Sequence, residues 1–197
     1  MKRNCFLDIE TTGLEPTQGH TILTIGCIVD TKLKTNPIRE YYGVVKPTQV
    51  DWQMAAPKAL EVNGLKFEDL VANGKPMREA ATDFCRFLVE NGVRTGNAIV
   101  IGQNPTFDLK FLQYYMAPEL SYCGFPFGDF RDTRDMYSVL MNRRQVPFLK
   151  YRSSEKISEG LGVAPEPWPH NALEGAKAVF RNFSKMQEML QEKEEEV

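Results

Sequence analysis

Three strand-forming runs crowd into the first 46 residues of this 197-residue chain, and helical patterns take over afterwards, broken by one short apolar run. That order is the strongest limit on the fold. Asn4 to Ile9 is a short apolar run of the kind a buried strand shows, Thr21 to Asp30 (TILTIGCIVD) is β-branched, and Tyr41 to Lys46 (YYGVVK) completes the set. Thr12-Gly13 and Asn36-Pro37 are turn signals between these runs, and such short spacing predicts an antiparallel meander. A short helix is expected over Ala55 to Asn63. A stronger one is expected over Met77 to Asn91, where Ala80, Ala81, Phe84, Phe87 and Leu88 recur at helical spacing and Gly92 is a stop. Ala98 to Gly102 (AIVIG) predicts a buried strand, and Asn104 to Met116 a helix with Pro105 in its first turn. Thr133 to Met141, Ser153 to Leu161 (with Ser153 as N-cap) and His170 to Leu190 are the remaining predicted helices. Strands first, then helices alternating with short strands, define an α/β fold with a mixed sheet, in which sites gather at strand ends. Residues 1–190 are expected to form a single domain and 191–197 an acidic tail.

Composition narrows the function. At 42% hydrophobic residues the chain can bury a sizeable core, yet nowhere does it reach the 18 or so consecutive apolar residues of a membrane span. No apolar run of signal-peptide length follows Met1-Lys2-Arg3, so a cytoplasmic location is expected. The cysteines, Cys5, Cys27, Cys85 and Cys123, are scattered with no C-x-x-C pair, which excludes a zinc ribbon or redox motif. A net charge of −2 gives no support for tight nonspecific binding to duplex phosphates, although an acidic metal cleft would itself lower the charge. The absence of G-x-G-x-x-G argues against a Rossmann-type nucleotide binder.

Chemistry enters in three places. Asp8 and Glu10 end the first strand and, because strand side chains alternate, point to one side. Two carboxylates at the end of an apolar strand are costly unless a cation neutralises them, and hard cations such as Mg²⁺ and Mn²⁺ choose carboxylate oxygens. The second place is IGQNPTFDLKFL (101–112), where a buried strand turns into a helix with Asp108 in its first turn. The third is PHNALEGA (169–176), where one of only two histidines opens a helix and offers a general base. Each has an ordinary structural reading when taken alone. Asp8 and Glu10 could mark a solvated strand end, Asp108 a favourable charge at a helix start, and Asn104 an N-cap.

In this order, FLDIETTGL (6–14), IGQNPTFDLKFL (101–112) and HNALEGAKA (170–178) resemble the DEDDh 3′–5′ exonucleases, the group of polymerase proofreading subunits, ribonuclease T and oligoribonuclease. VNGL (62–65), RDTRDMY (131–137) and KISEGLGV (156–163) resemble lesser motifs of the same family, so the likeness spans nearly the whole chain. The resemblance implies a ribonuclease H-like mixed sheet, three antiparallel strands followed by parallel ones, flanked by helices. It implies hydrolysis of terminal phosphodiester bonds at the 3′ end of single-stranded DNA or RNA, giving 5′-mononucleotides. Two ions, Mg²⁺ or Mn²⁺, would stabilise attacking water and leaving oxygen. Asp8 would bridge both ions, Glu10 would ligate one and Asp108 would act on the second. His170 would take the proton from water. Thr11, Thr12 and Leu14 would hold the terminal nucleotide, and Asn104 and Phe107 would shape its pocket. No membrane partner is implied, and a protein partner is not specified.

The chain departs from the family in its last motif, which reads His, any, Ala, any, any, Asp. Counting from His170, that Asp falls on Gly175. Two arrangements follow. In one, Glu174 serves as the ligand despite a helical rotation of about 100° from position 175. In the other, the site lacks a ligand, and the chain is a catalytically impaired relative that binds nucleic acid or protein.

Overall fold

The computed structural model describes residues 2–31 and 38–191; the Asn36-Pro37 turn and the tail beyond residue 191 lie outside the described residues. Strands β1 (Arg3–Thr11), β2 (Ile22–Asp30), β3 (Ile38–Val44), β4 (Ala98–Gly102) and β5 (Phe130–Asp132) form one sheet in the order β3-β2-β1-β4-β5. The first three pair antiparallel, while β4 lies parallel to both β1 and β5. This is the mixed ribonuclease H-like sheet, with β1 at its centre.

Alternation along β1 sorts its side chains between two cores. Cys5, Leu7 and Ile9 face α4 (Met77–Glu90) and α5 (Pro105–Tyr122), where Phe84, Leu88, Phe111 and Met116 are fully buried. Phe6 faces the other way, onto Ala176, Val179 and Phe183 of α8 (Ala172–Gln191). It meets Phe180 and Phe183 edge-on at 5.1 and 5.4 Å between ring centres, contacts worth about 0.5–1.5 kcal/mol each beyond area burial. Asp8 and Glu10 follow Phe6 at two-residue steps, so they share the α8 face beyond its apolar part.

Two glycines let α8 lie close on that face. Gly26 of β2 pairs with Asp8 across the sheet, and a Cβ there would run into the backbone of Ala172. Gly175 faces Asp8 in the same way. The C-terminal half of α8 rests on a third cluster, in which Tyr137 and Leu140 of α6 (Thr133–Asn142) meet Ile157 and Leu161 of α7 (Ser154–Leu161) and Met186.

Several boundaries differ from the sequence expectation for local reasons. α8 begins at Ala172 rather than His170, because the Asn171 side chain accepts from the backbone N–H groups of Leu173 and Glu174 and caps the helix there. α5 continues past Pro118 to Tyr122, with Leu120 fully buried. β3 starts at Ile38 and ends at Val44, and Val45 leaves the sheet to bridge Lys75. Helices α1 (Gln49–Gln53), α2 (Pro57–Asn63, within the predicted 55–63 helix) and α3 (Phe67–Asn73) line the route from β3 to α4. α1 and α3 are too short to show a helical period, although Thr48 and Asp51 form a reciprocal capping box. β5 is three mostly exposed residues without an apolar alternation, and only the family-like RDTRDMY segment (131–137) marks it in the sequence. All four cysteines are free. Among the described residues no helix is long and apolar enough to cross a membrane.

Candidate active site

The strand end, the first turn of α5 and the approach to α8 converge. Asp108 is 3% exposed, and its carboxylate accepts from the Ile9 backbone N–H at 3.1 Å, which fixes it against β1 between Asp8 and Glu10 in sequence. Glu10 is 8% exposed and accepts no hydrogen bond from any described residue. Burial pushes the Glu10 carboxyl up to about 8, with Glu166 and Asp108 adding to the shift. Asp108 also rises to about 8, again through burial, against the lowering effect of the backbone N–H groups that it accepts from. Asp8 is held well above the usual carboxylate range by burial and then by Asp108, Glu10 and Glu166. Burial and like charge therefore act together, and each disfavours ionisation.

His170 sits just before α8, anchored by its backbone N–H on the Val62 carbonyl at 3.0 Å. Its ring meets Trp168 edge-on, and its Nδ1 lies 3.6 Å from Glu166 Oε2. Glu166 is a member of this cluster that the sequence reading missed. One donor atom each from Glu10, Glu166 and His170 fall within 4.8 Å of one another. The only sequence signal for it is a carboxylate four residues before His170, in the proline-rich stretch PEPWPH.

The expectation that Glu174 joins the metal-binding set is corrected. Its carboxylate is paired with Lys177 at 3.0 Å, and Lys177 also reaches Glu40 of β3 at 3.3 Å. A helical step from position 175 has turned it toward a surface ion pair. Gly175 itself brings no donor, and its missing Cβ leaves room for the Asp8 carboxyl.

Beside the carboxylates lies a pocket of ≈ 290 Å³, walled by Glu10, Thr11, Leu14, Val62, Asn63 and Phe107. That volume is close to the lower end of small-ligand sites, about 300–1,000 Å³. Leu14 stands 75% exposed on its rim. Lys110 Nζ donates to the Leu14 carbonyl at 3.0 Å and pairs with Glu15 at 2.9 Å, tying the rim to α5. Thr11, Leu14 and Phe107 are thus brought together as expected from sequence, whereas Thr12 and Asn104 are not. Thr12 is fully buried, and its hydroxyl accepts from the Thr21 N–H at 2.8 Å, bracing the β1–β2 loop. Asn104 adopts left-handed backbone (φ 60°) at the β4–α5 turn, where its side-chain oxygen accepts from Arg134 and Thr106. The α2 residues of the pocket wall went unassigned in the sequence, although VNGL (62–65) marked the segment.

The donor set fits a hard divalent cation. It is rich in carboxylate oxygens, with Glu10 buried and unpartnered, and such a cation would relieve the repulsion among them. A mixed five-stranded sheet whose central strand ends in buried acids beside a small pocket defines a ribonuclease H-like nuclease architecture. The RNase T exonuclease family matches residues 5–183, and the chain belongs to that family, in its DEDDh-type branch.

Among its relatives is the 3′-5′ DNA exonuclease Cap18 of Escherichia coli, 28% identical over 186 residues covering 92% of this chain and 91% of that protein. The PolC-type DNA polymerase III of Thermotoga petrophila is 26% identical over 185 residues, which cover 93% of this chain. The chain spans only 12% of that polymerase. Exonuclease I of E. coli, solved in complex with a dA16 oligonucleotide, shares the fold at a TM-score of 0.68 and 15% identity, over 94% of this chain and 40% of that one.

Proposed function

We propose that this chain is a 3′–5′ exonuclease that removes 5′-mononucleotides one at a time from single-stranded nucleic acid, using two divalent ions, Mg²⁺ or Mn²⁺. The observation that carries this reading is the double position of Glu10. It belongs to the acidic cluster and also forms part of the wall of the ≈ 290 Å³ pocket. A terminal nucleotide seated in the pocket would therefore place its phosphodiester linkage against the acids. Single-stranded DNA is the favoured substrate, in keeping with the names of the exonuclease relative and of the oligonucleotide-bound neighbour.

Asp8, Glu10 and Asp108 would hold the ions. Bound there, the ions would stabilise charge on the attacking and leaving oxygens of the displacement. His170 would accept a proton from the attacking water. Its side chain is 39% exposed at the cluster's edge, accessible to water yet held in place by its neighbours. Leu14 and Phe107 would flank the terminal base, the aromatic ring by stacking, which tolerates any base.

A single-stranded oligonucleotide labelled at its 5′ end tests the proposal. The expected result is a ladder descending by single nucleotides with Mg²⁺ or Mn²⁺ and no product with a chelator. The same strand labelled at its 3′ end should release labelled mononucleotide first. Internal cuts as the first products would overturn the exonuclease reading, and no product in either metal would favour a binding module without catalysis.

A further inference from the structure

We propose that Glu166 contributes, from the loop before α8, the ion-holding carboxylate that position 175 does not provide; this rests on the exonuclease reading above. The first step is elimination along α8. Gly175 has no side chain, and the space its Cβ would take is filled by the Asp8 carboxyl. Glu174 is engaged with Lys177. Neither residue of the first turn is available to the site.

Glu166 is available, and it is held as a ligand would be. Its side chain is only 9% exposed, among the acids rather than in solvent. Oε1 accepts from the Asn171 backbone N–H at 3.1 Å, which leaves Oε2 directed toward His170 and Glu10. Asn171 is itself fixed to the helix, since its carbonyl accepts from the Gly175 N–H at 2.8 Å and its side chain caps the first turn. Arg181, two turns further along α8, donates to the carbonyls of Ala164 and Pro165 and clamps the start of the same loop. Pro165, Pro167 and Pro169 fix φ on either side of Glu166, so little chain entropy is lost in holding it there.

A second observation points to a cation at this place. Glu10, more than nine-tenths buried and without a hydrogen bond from any described residue, is directed at the same spot. Two ionised carboxylates do not share a buried space unless something positive accompanies them. His170 at 3.6 Å is one candidate for that charge, and a divalent ion shared by Glu10 and Glu166 is the other. The test separates them.

Mn²⁺ binding to the full chain would be measured by the loss of the free-ion electron paramagnetic resonance signal. The arms are the unmodified chain, Glu166→Gln, Glu166→Asp, Glu174→Gln and Asp8→Asn, with the fold of each checked by circular dichroism. Glu166→Gln keeps the acceptor for Asn171 N–H and removes only the charge. It is expected to weaken at least one Mn²⁺ site about 10-fold or more, with Glu166→Asp intermediate and Glu174→Gln within about 2-fold of the unmodified chain. Unchanged Mn²⁺ binding in Glu166→Gln, together with an altered pH–rate profile, would overturn the proposal and leave Glu166 as a positioning residue for His170. A larger loss in Glu174→Gln than in Glu166→Gln would overturn it in favour of the helix. Should the unmodified chain bind no Mn²⁺ and cleave nothing, both this proposal and the exonuclease reading fall. Cleavage with unchanged Glu166→Gln binding would sink this proposal alone.

Discussion

Two helices begin beside the end of β1, and they serve the site in opposite ways. α5 delivers its carboxylate from inside its first turn, where Asp108 accepts from the Ile9 N–H and lies buried against the strand. α8 delivers none from its first turn. Its Gly175 is pressed onto Asp8, its Ala172 onto Gly26, and its Glu174 turns out to Lys177. The chemical groups near α8 come instead from the loop that precedes it, in Glu166 and His170. The contrast follows from packing. α5 rises from β4 through a left-handed turn at Asn104, and its Asp108 reaches the Ile9 N–H of β1. α8 lies so close on the sheet that two glycines are needed, and a helix that close has no space for a ligand side chain on the contacting face.

The largest effect is expected where the two starts share a residue. Asp8→Asn, or Asp108→Asn on the α5 side, should lower the cleavage rate by at least about 10²-fold while the chain stays folded. Each replacement removes a carboxyl whose ionisation burial already opposes, so thermal stability without metal should hold or rise. Rates of oligonucleotide cleavage beside melting curves check both halves. Retention of full activity by Asp108→Asn would break the α5 half of the comparison. On the α8 side, His170→Ala should cost about 10²–10⁴-fold in rate with Mn²⁺ binding preserved, since a general base acts on water and not on the ion. A parallel loss of Mn²⁺ binding would recast His170 as a ligand.

The sequence exposes these two starts to different degrees. Asp8, Glu10 and Asp108 are legible because strand alternation and a strand-turn-helix pattern dictate where their side chains go, and the antiparallel pairing of β1 to β3 follows from three closely spaced strand runs. Glu166 is not legible, because no periodicity governs a proline-rich loop; only folding brings it back across four residues to His170. Glu174 misleads for the converse reason. It is adjacent in sequence to the expected ligand position, but a single helical step carries it to a different face. Thr12 and Asn104 also lie in motif positions, yet each is consumed by a backbone or side-chain bond that holds a turn. A motif fixes the chain path around a site more firmly than it fixes which side chains face the ligand.

The close contact of α8 can be probed through its two glycines. Gly26→Ala places a methyl group into the Ala172 backbone, which cannot rotate away, so the helix must lift. Overpacking of this kind costs about 1–3 kcal/mol, and for a domain of this size each kcal/mol lowers the melting temperature by about 2–4 °C. Gly175→Ala meets the Asp8 side chain, most closely its carboxyl, and a side chain gives way more readily than backbone. Its expected signature is a smaller fall in melting temperature with weaker Mn²⁺ binding. Equal stability losses from the two substitutions, or unchanged Mn²⁺ binding in Gly175→Ala, would show that α8 does not press on Asp8.

The smallest effect is a change in the slope of stability against pH. Burial raises Glu10 and Asp108 to about 8, so between the ordinary carboxylate range and pH 8 the folded chain retains protons that the unfolded chain has released. With fewer protons bound in the unfolded state, unfolding free energy falls as pH rises across that window. Metal-free protein should therefore melt progressively lower from pH 5.5 to pH 8.5, whichever helix start dominates. Saturating Mn²⁺ removes this slope, because the ion binds only the deprotonated, folded cluster, so neither state then holds protons on these carboxyls across the window. Melting curves at several pH values would show a falling line with chelator and a nearly level one with Mn²⁺. Repeating them in Glu166→Gln sharpens the comparison of the two helices. If the α8 loop contributes a carboxylate, weaker Mn²⁺ binding should tilt the Mn²⁺ line back toward the metal-free one; if α5 and β1 suffice, it should stay level as in the unmodified chain.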